Sequence, residues 1–160
     1  MIVDTARFGS FDTKDSKLID FPNGLPGFEE LHKFIILEVS DTWPIYWLQS
    51  TDNEYIALPV IVSFEILDDY NIYIKENELE GLYVESKNDL LILNVAVIPQ
   101  NIQDMTINLA APIVINVKRG IGKQIIIDAK ELPIRFPGYE AVMKSVKGGK
   151  GDAGALTENR

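Results

Sequence analysis

The stretch 90–128, LLILNVAVIPQNIQDMTINLAAPIVINVKRGIGKQIIID, decides the fold class. It holds three runs rich in valine, isoleucine and leucine, at 90–98, 105–117 and 123–128. Side chains of this kind suit a pleated, packed surface better than a helix. Turn-forming residues separate the runs: Pro99-Gln100-Asn101 after the first and Gly120-Ile121-Gly122 before the last. The first run is apolar on both faces except at Asn94, so it reads as a central strand covered on both sides. In 105–109, Met105, Ile107 and Leu109 alternate with Thr106 and Asn108, the pattern of a half-buried strand. Pro112 has no amide hydrogen and needs an edge, a bend or a bulge. The reading places a bend there, which splits the second run and carries it from one part of a curved sheet to the next. Gly120-Ile121-Gly122 then closes a hairpin back onto 123–128.

Upstream, 1–8 reads as a first strand with Gly9-Ser10 as its turn, followed by a polar, turn-like stretch at 12–17 and a short apolar piece at 18–21. Two prolines and two glycines within six residues make 21–29 a shaped turn, pinned by Phe21, Leu25 and Phe28. One helical turn follows at 29–33, then a strand at 34–39. Segments 45–50 and 55–62 form a hairpin around 51–54, with Trp47 in the core and Trp43 on the rim. Asp68-Asp69 marks a turn. In 70–74, Tyr70, Ile72 and Ile74 alternate with Asn71 and Tyr73, as in a strand. Residues 76–82 are acidic and read as a short helix or an open turn.

Downstream, 132–135 reads as a last short strand. Pro137-Gly138 breaks the chain, and 139–146 forms a short helix with Ala141 and Val142 toward the body. The expectation is an all-β domain over 1–147, a small closed or strongly curved antiparallel β-barrel with a short C-terminal helix. A flexible glycine-rich tail covers 148–160. A chain of 160 residues is long enough for one such core.

Composition narrows the function classes. The absence of cysteine excludes disulfides, thiolate nucleophiles and cysteine-held zinc. No apolar run approaches the ~18 residues a bilayer span needs, and the first ten residues lack a signal-peptide pattern. The expected location is the cytoplasm, with no membrane partner. The formal charge of −9 is uneven: residues 1–90 carry 18 acids and 6 bases, and residues 91–160 carry 6 acids and 9 bases. An acidic surface repels phosphate backbones and attracts basic proteins, so direct nucleic-acid binding is disfavoured. The same acids also serve solubility.

Catalytic signals are weak. His32 is the lone histidine, and it lies in a turn. No nucleophile elbow is present. Asp68-Asp69 lacks the alternating spacing that wraps calcium. Gly120-Ile121-Gly122-Lys123 lacks the first glycine of a phosphate loop and the hydroxyl residue after the lysine, and it precedes a strand-like run. Nothing calls for a cofactor, and the reading is of a protein that is not an enzyme.

Two motifs resemble those of a known family. Phe21-Pro22-Asn23-Gly24-Leu25-Pro26-Gly27-Phe28-Glu29 looks like the early signature of the flagellar assembly factor FliW. Asn108-Leu109-Ala110-Ala111-Pro112-Ile113-Val114-Ile115-Asn116 looks like the late signature, followed at the usual distance by Gly122-Lys123-Gln124. Leu48-Gln49-Ser50 also fits. The resemblance covers 1–136, with one departure: the family tends to carry proline where this chain has Ser63. It implies a non-enzymatic regulator of flagellum assembly with a fold similar to a small β-barrel. Such proteins bind CsrA, an RNA-binding translational repressor, and relieve its silencing of the flagellin message. They also bind flagellin itself, so the two partners form a switch; the alternative is a dedicated flagellin chaperone without a CsrA role. Phe21, Pro22, Gly24, Pro26, Gly27, Phe28, Asn108, Pro112, Asn116 and Gln124 read as shape-giving motif residues. The candidates for binding a partner are the exposed acids near turns: Asp68, Asp69, Glu76, Glu78 and Glu80.

Overall fold

The computed structural model describes residues 1–13, 17–128, 130 and 132–149. In chain order the elements are β1 (Ile2–Thr5), β2 (Gly9–Asp12), β3 (Ile19–Asp20), β4 (Lys33–Glu38), β5 (Ile45–Ser50), β6 (Ala57–Ile61), α1 (Ser63–Ile66), β7 (Leu90–Val97), β8 (Thr106–Ile107), β9 (Ile113–Asn116), β10 (Ile121–Gln124), β11 (Phe136–Pro137) and α2 (Tyr139–Gly149). The described chain is mostly β. A nine-stranded sheet runs β11-β8-β7-β6-β5-β4-β3-β10-β9, and β1 with β2 forms a separate hairpin. Because β9 pairs with both β10 and β7, the pairings from β7 through β6, β5, β4, β3, β10 and β9 return to β7. One of these pairings is parallel, Ile121 opposite Asp20, so the sheet is mixed rather than purely antiparallel as expected. That pairing joins two distant, short strands and carries no local sequence signal.

Alternation along each strand sorts the side chains into an inner and an outer set. Phe34 on β4, Tyr46 and Leu48 on β5, Val60 on β6, Leu93 on β7, and Ile113 and Ile115 on β9 share one buried cluster with Ile19, Phe21 and Leu25. The opposite faces are covered in three places. The β1–β2 hairpin brings Val3, Phe8 and Phe11 onto Ile35, Leu37 and Trp47. Tyr70, Met105, Ile107 and Val142 gather around Ile61 and Ala96. Leu82 and Ile125 pack on Val114, with Leu90 and Ile92 beside them. This double cover explains why the run from Leu90 is apolar on both faces. Gly122 faces the inner cluster, where an added Cβ would come within 2.8 Å of the Phe21 ring.

The long run splits at Pro112 as expected, into β8 and β9. Both pieces stay paired to β7: Ile107 stands opposite Ala96 and Ile113 opposite Leu93. Residues 108–112 therefore occupy the place of only 94–95 on β7, a wide bulge rather than a passage to another part of the sheet.

Other expectations shift for physical reasons. The first hairpin turns at Ala6–Phe8, before Gly9. The Thr5 hydroxyl closes it early by accepting from Phe8 N and donating to Gly9 O. Residues 29–33 form no helix. Leu31 N bonds Phe28 O in a single turn, and Lys33 already belongs to β4. Segment 70–74 alternates in burial but pairs with no strand among the described residues; its outward residues are exposed, Tyr73 at 77%. The later hairpin turns at 117–120, so β10 starts at Ile121 and ends at Gln124. Beyond it, Ile125 N and Ile127 N still bond Pro112 O and Ala110 O. The last strand lies at Phe136–Pro137 rather than 132–135, paired with β8. The C-terminal helix runs on to Gly149. It therefore takes in the first two residues of the expected tail, and 150–160 lie outside the described residues.

Candidate functional site

The acidic residues sit on a strap, 66–84, that crosses the outside of the sheet. Tyr70 fixes its start: the phenol donates to Leu109 O at 3.1 Å and accepts from Asn94 Nδ2 at 3.1 Å. Burial raises the Tyr70 pKa, and the Asn94 hydrogen bond acts against that shift. Ile72 packs on the cluster around Ile61, while Ile74, Leu79 and Leu82 pack on the cluster around Val114. With the apolar residues turned in, the polar ones face water. Asp68, Asp69, Glu76 and Glu80 are exposed, and Glu78 is half-buried. Glu78 is already engaged, since its Oε2 accepts from Lys75 N at 3.2 Å ahead of the 3-10 turn Glu76–Leu79. Lys123 Nζ reaches Glu80 O at 2.9 Å. The five acids therefore divide into two groups, 68–69 and 76–80. Their spacing along the chain allows at most about 23 Å between Asp69 and Glu76. Tyr73 stands exposed between them, a position the alternation in the sequence already marked as outward.

The motif residues other than Asn116 gather toward one end of the strand ring, where Leu25, Pro26, Phe28, Asn108 and Gln124 line a common groove. Gly24 has φ of +66°, and a Cβ there would fall 2.6 Å from Glu29 backbone atoms. Gly24 N bonds Phe21 O, Phe28 N bonds Leu25 O, and Gly27 N bonds the Glu29 carboxylate. Phe21 and Leu25 are buried, Phe28 is half-buried, and Pro22, Pro26 and Gly27 are exposed. Within the bulge, Asn108 Oδ1 accepts from Ala110 N and Ala111 N, both at 3.1 Å. Gln124 Nε2 donates to Ala111 O, and the buried Pro112 accepts from Ile125 N through its carbonyl. Asn94 Nδ2 also donates to Asn108 O at 2.9 Å. Asn116, farther along β9, donates to Leu82 O and Tyr83 O and accepts from Lys118 N and Arg119 N. These amides satisfy backbone groups that the bulge and the turns leave without ladder partners. A groove of about 680 Å³ opens at this end, lined in part by Pro26, Phe28, Leu58, Val97 and Ile134.

At the other end of the ring lies a larger groove, of about 820 Å³. Ile36, Tyr46, Leu91 and Ile115 supply apolar wall, and Glu38 and Glu65 stand on its edge. Partial burial raises the Glu65 pKa, and the charge of Glu38 raises it further. Glu38 ends β4 and Glu65 lies in α1, so only the folded chain brings them together.

His32 Nδ1 lies 2.9 Å from Phe21 O. A carbonyl can only accept, so Nδ1 carries the hydrogen and the ring serves the turn. Among the described residues, no group of three or more metal-ligating side chains gathers, and no helix is long and apolar enough to cross a membrane.

Known proteins share this pattern over most of the chain. The family model described as FliW protein matches residues 2–138. The flagellar assembly factor FliW of Clostridium tetani is 36% identical over 140 residues, covering 88% of this chain and 97% of that protein. The corresponding factor of Thermoanaerobacter pseudethanolicus is 41% identical over 138 residues, covering 86% and 92%. A crystal structure of a flagellar assembly factor FliW superposes with a TM-score of 0.77 at 28% identity, covering 86% of this chain and 96% of that one.

Proposed function

The chain belongs to the FliW family of flagellar assembly factors, and from that premise we propose that it works in the cytoplasm as a non-enzymatic partner switch. One ligand is CsrA, whose repression of flagellin translation it relieves, and the other is flagellin. In this reading the returning strand pairings act as a small barrel-like shell, and the strap 66–84 is the face that CsrA grips. The observation that carries the reading is the strap itself. Its isoleucines and leucines anchor it to the sheet while Asp68, Asp69, Glu76 and Glu80 are held out in water. Fixed exposed acids steer a basic partner and set the salt dependence of its binding. A coupling of ~1–3 kcal/mol between the two partners would make a useful switch.

The test is a sizing column loaded with this protein, purified CsrA and flagellin, singly and together. The reading expects a complex with CsrA that flagellin dissolves. Co-elution with flagellin and none with CsrA would instead indicate a dedicated chaperone. Adding a preformed CsrA–RNA complex separates two modes of antagonism: a ternary species would rule out direct steric blocking of the RNA site.

A further inference from the structure

Among the described residues β1 pairs with β2 alone, so its other edge has no neighbouring strand. Parity tells which groups lie on that edge. Thr13 N bonds Met1 O, and Val3 stands opposite Phe11, so the odd residues of β1 exchange hydrogen bonds with β2. The even residues turn their N–H and C=O groups the other way. Ala6 marks the direction, because its N–H bonds Glu54 O in the turn 51–54. The backbone groups of Ile2 and Asp4 on the same edge have no partner among the described residues. A cleft of about 340 Å³ lies between residues 1–4 and that turn.

An unpaired edge is a template for another strand unless something guards it. The guard here is selective. The side chains lining the cleft include three carboxylates, Asp4, Asp52 and Glu54, and no cation. Asp4 accepts from Ser10 Oγ at 2.8 Å, which holds its carboxylate beside the edge. A second copy of this chain would bring its own Asp4 against these acids, so like charge disfavours self-pairing. A segment carrying lysine or arginine meets opposite charge on both walls. Ile2 is 71% exposed and offers such a segment an apolar cross-strand neighbour. The cleft shares no residue with the strap 66–84.

We propose that β1 is a docking edge for an extended, basic segment of a partner protein, which adds to the hairpin as a third strand. The backbone groups of Ile2 and Asp4 set its register, and Asp4, Asp52 and Glu54 select its charge.

The full chain labelled with nitrogen-15 tests this by NMR. Two capped nonapeptides are titrated, one alternating lysine with valine and the other glutamate with valine. The lysine peptide should move the amide signals of Ile2 and Asp4 and bind at least about tenfold more tightly than the glutamate peptide. Ile2→Pro removes an N–H that faces the cleft and leaves the bonds to β2 in place. It should weaken the lysine peptide about tenfold, read at the Asp4 amide, whereas Ile2→Ala keeps the N–H and should weaken it less. The double variant Asp52→Asn, Glu54→Gln should reduce the preference between the peptides to about threefold or less. Unmoved amide signals from the nine-stranded sheet report that each variant keeps the fold. Equal binding of the two peptides by the unaltered chain would overturn the proposal. So would still signals at Ile2 and Asp4 with both peptides, or equal losses in Ile2→Pro and Ile2→Ala. Shifts of the same signals on concentrating the chain alone would overturn it in favour of self-pairing. None of these outcomes depends on CsrA or flagellin, so the partner switch stands or falls separately.

Discussion

The two ends of the strand ring are built on opposite terms. At the end formed by 21–29 and the bulge 108–112, displaced backbone groups find side-chain or backbone partners. Asn108, Gln124 and the Phe21, Leu25 and Glu29 contacts see to this within a few residues. At the other end, α1 carries two features of a different kind. The Ser63 hydroxyl is fully buried with no hydrogen-bond partner among the described residues, and Glu65 sits beside Glu38. Tied backbone fixes shape at the bulge end, where only the Asn94 Oδ1 atom lacks a partner among the described residues, whereas at the other end the unpartnered Ser63 hydroxyl is a cost that a substitution can remove.

Substitutions can break that contrast. The largest effect is expected at Gly24→Ala. Its Cβ would enter Glu29 backbone at 2.6 Å from a left-handed φ, for a loss of about 3 kcal/mol in urea unfolding. Asn108→Ala should cost about 2 kcal/mol, because Ala110 N and Ala111 N lose their acceptor inside the bulge. At the other end the sign should reverse. Ser63 is the first residue of α1, a position that favours proline. Ser63→Pro removes the unpartnered hydroxyl and stiffens the unfolded chain, and should raise stability by about 1 kcal/mol.

The smallest effect, Glu65→Gln, should also stabilise at pH 7, by roughly a few tenths of a kcal/mol, because solvent screens this exposed carboxylate. Its pH dependence follows from the direction of the shift. The folded pKa lies above the ordinary 4.5, so the unaltered protein is relatively favoured below that value. It loses that advantage as pH rises from 4.5 through the raised folded value. The gain from Glu65→Gln should therefore vanish in thermal melts below pH 4.5. If all four substitutions destabilised alike, the two ends would not differ.

Much of this fold was legible in the sequence. The runs that became β4, β5, β6 and β7 are apolar enough to announce strands, and Pro112 announced the break between β8 and β9. Less legible were features that depend on distant partners. The alternation in 70–74 reports burial correctly, yet among the described residues no neighbouring strand stands beside it to make a ladder. The parallel contact of Ile121 with Asp20 joins segments a hundred residues apart. The acids of the strap could be named from composition and turn signals, but their division into two groups depends on which isoleucines turn inward. Glu38 and Glu65 carry no signal in the sequence, because neither lies in a dense acidic run; only the end of β4 meeting α1 makes them a pair. Asn94, a lone polar residue in an apolar run, is a visible signal, and Tyr70 and Asn108 take up its amide nitrogen while its Oδ1 has no partner among the described residues.

The acidic strap is tested most directly by titrating CsrA against the unaltered protein and against the triple variant Asp69→Lys, Glu76→Lys, Glu80→Lys over a series of salt concentrations. Glu78 is left in place because its carboxylate holds Lys75 N. The account predicts that the variant binds at least about tenfold more weakly at low salt and that its affinity falls less steeply as salt rises. An unchanged Kd with an unchanged salt slope would contradict it.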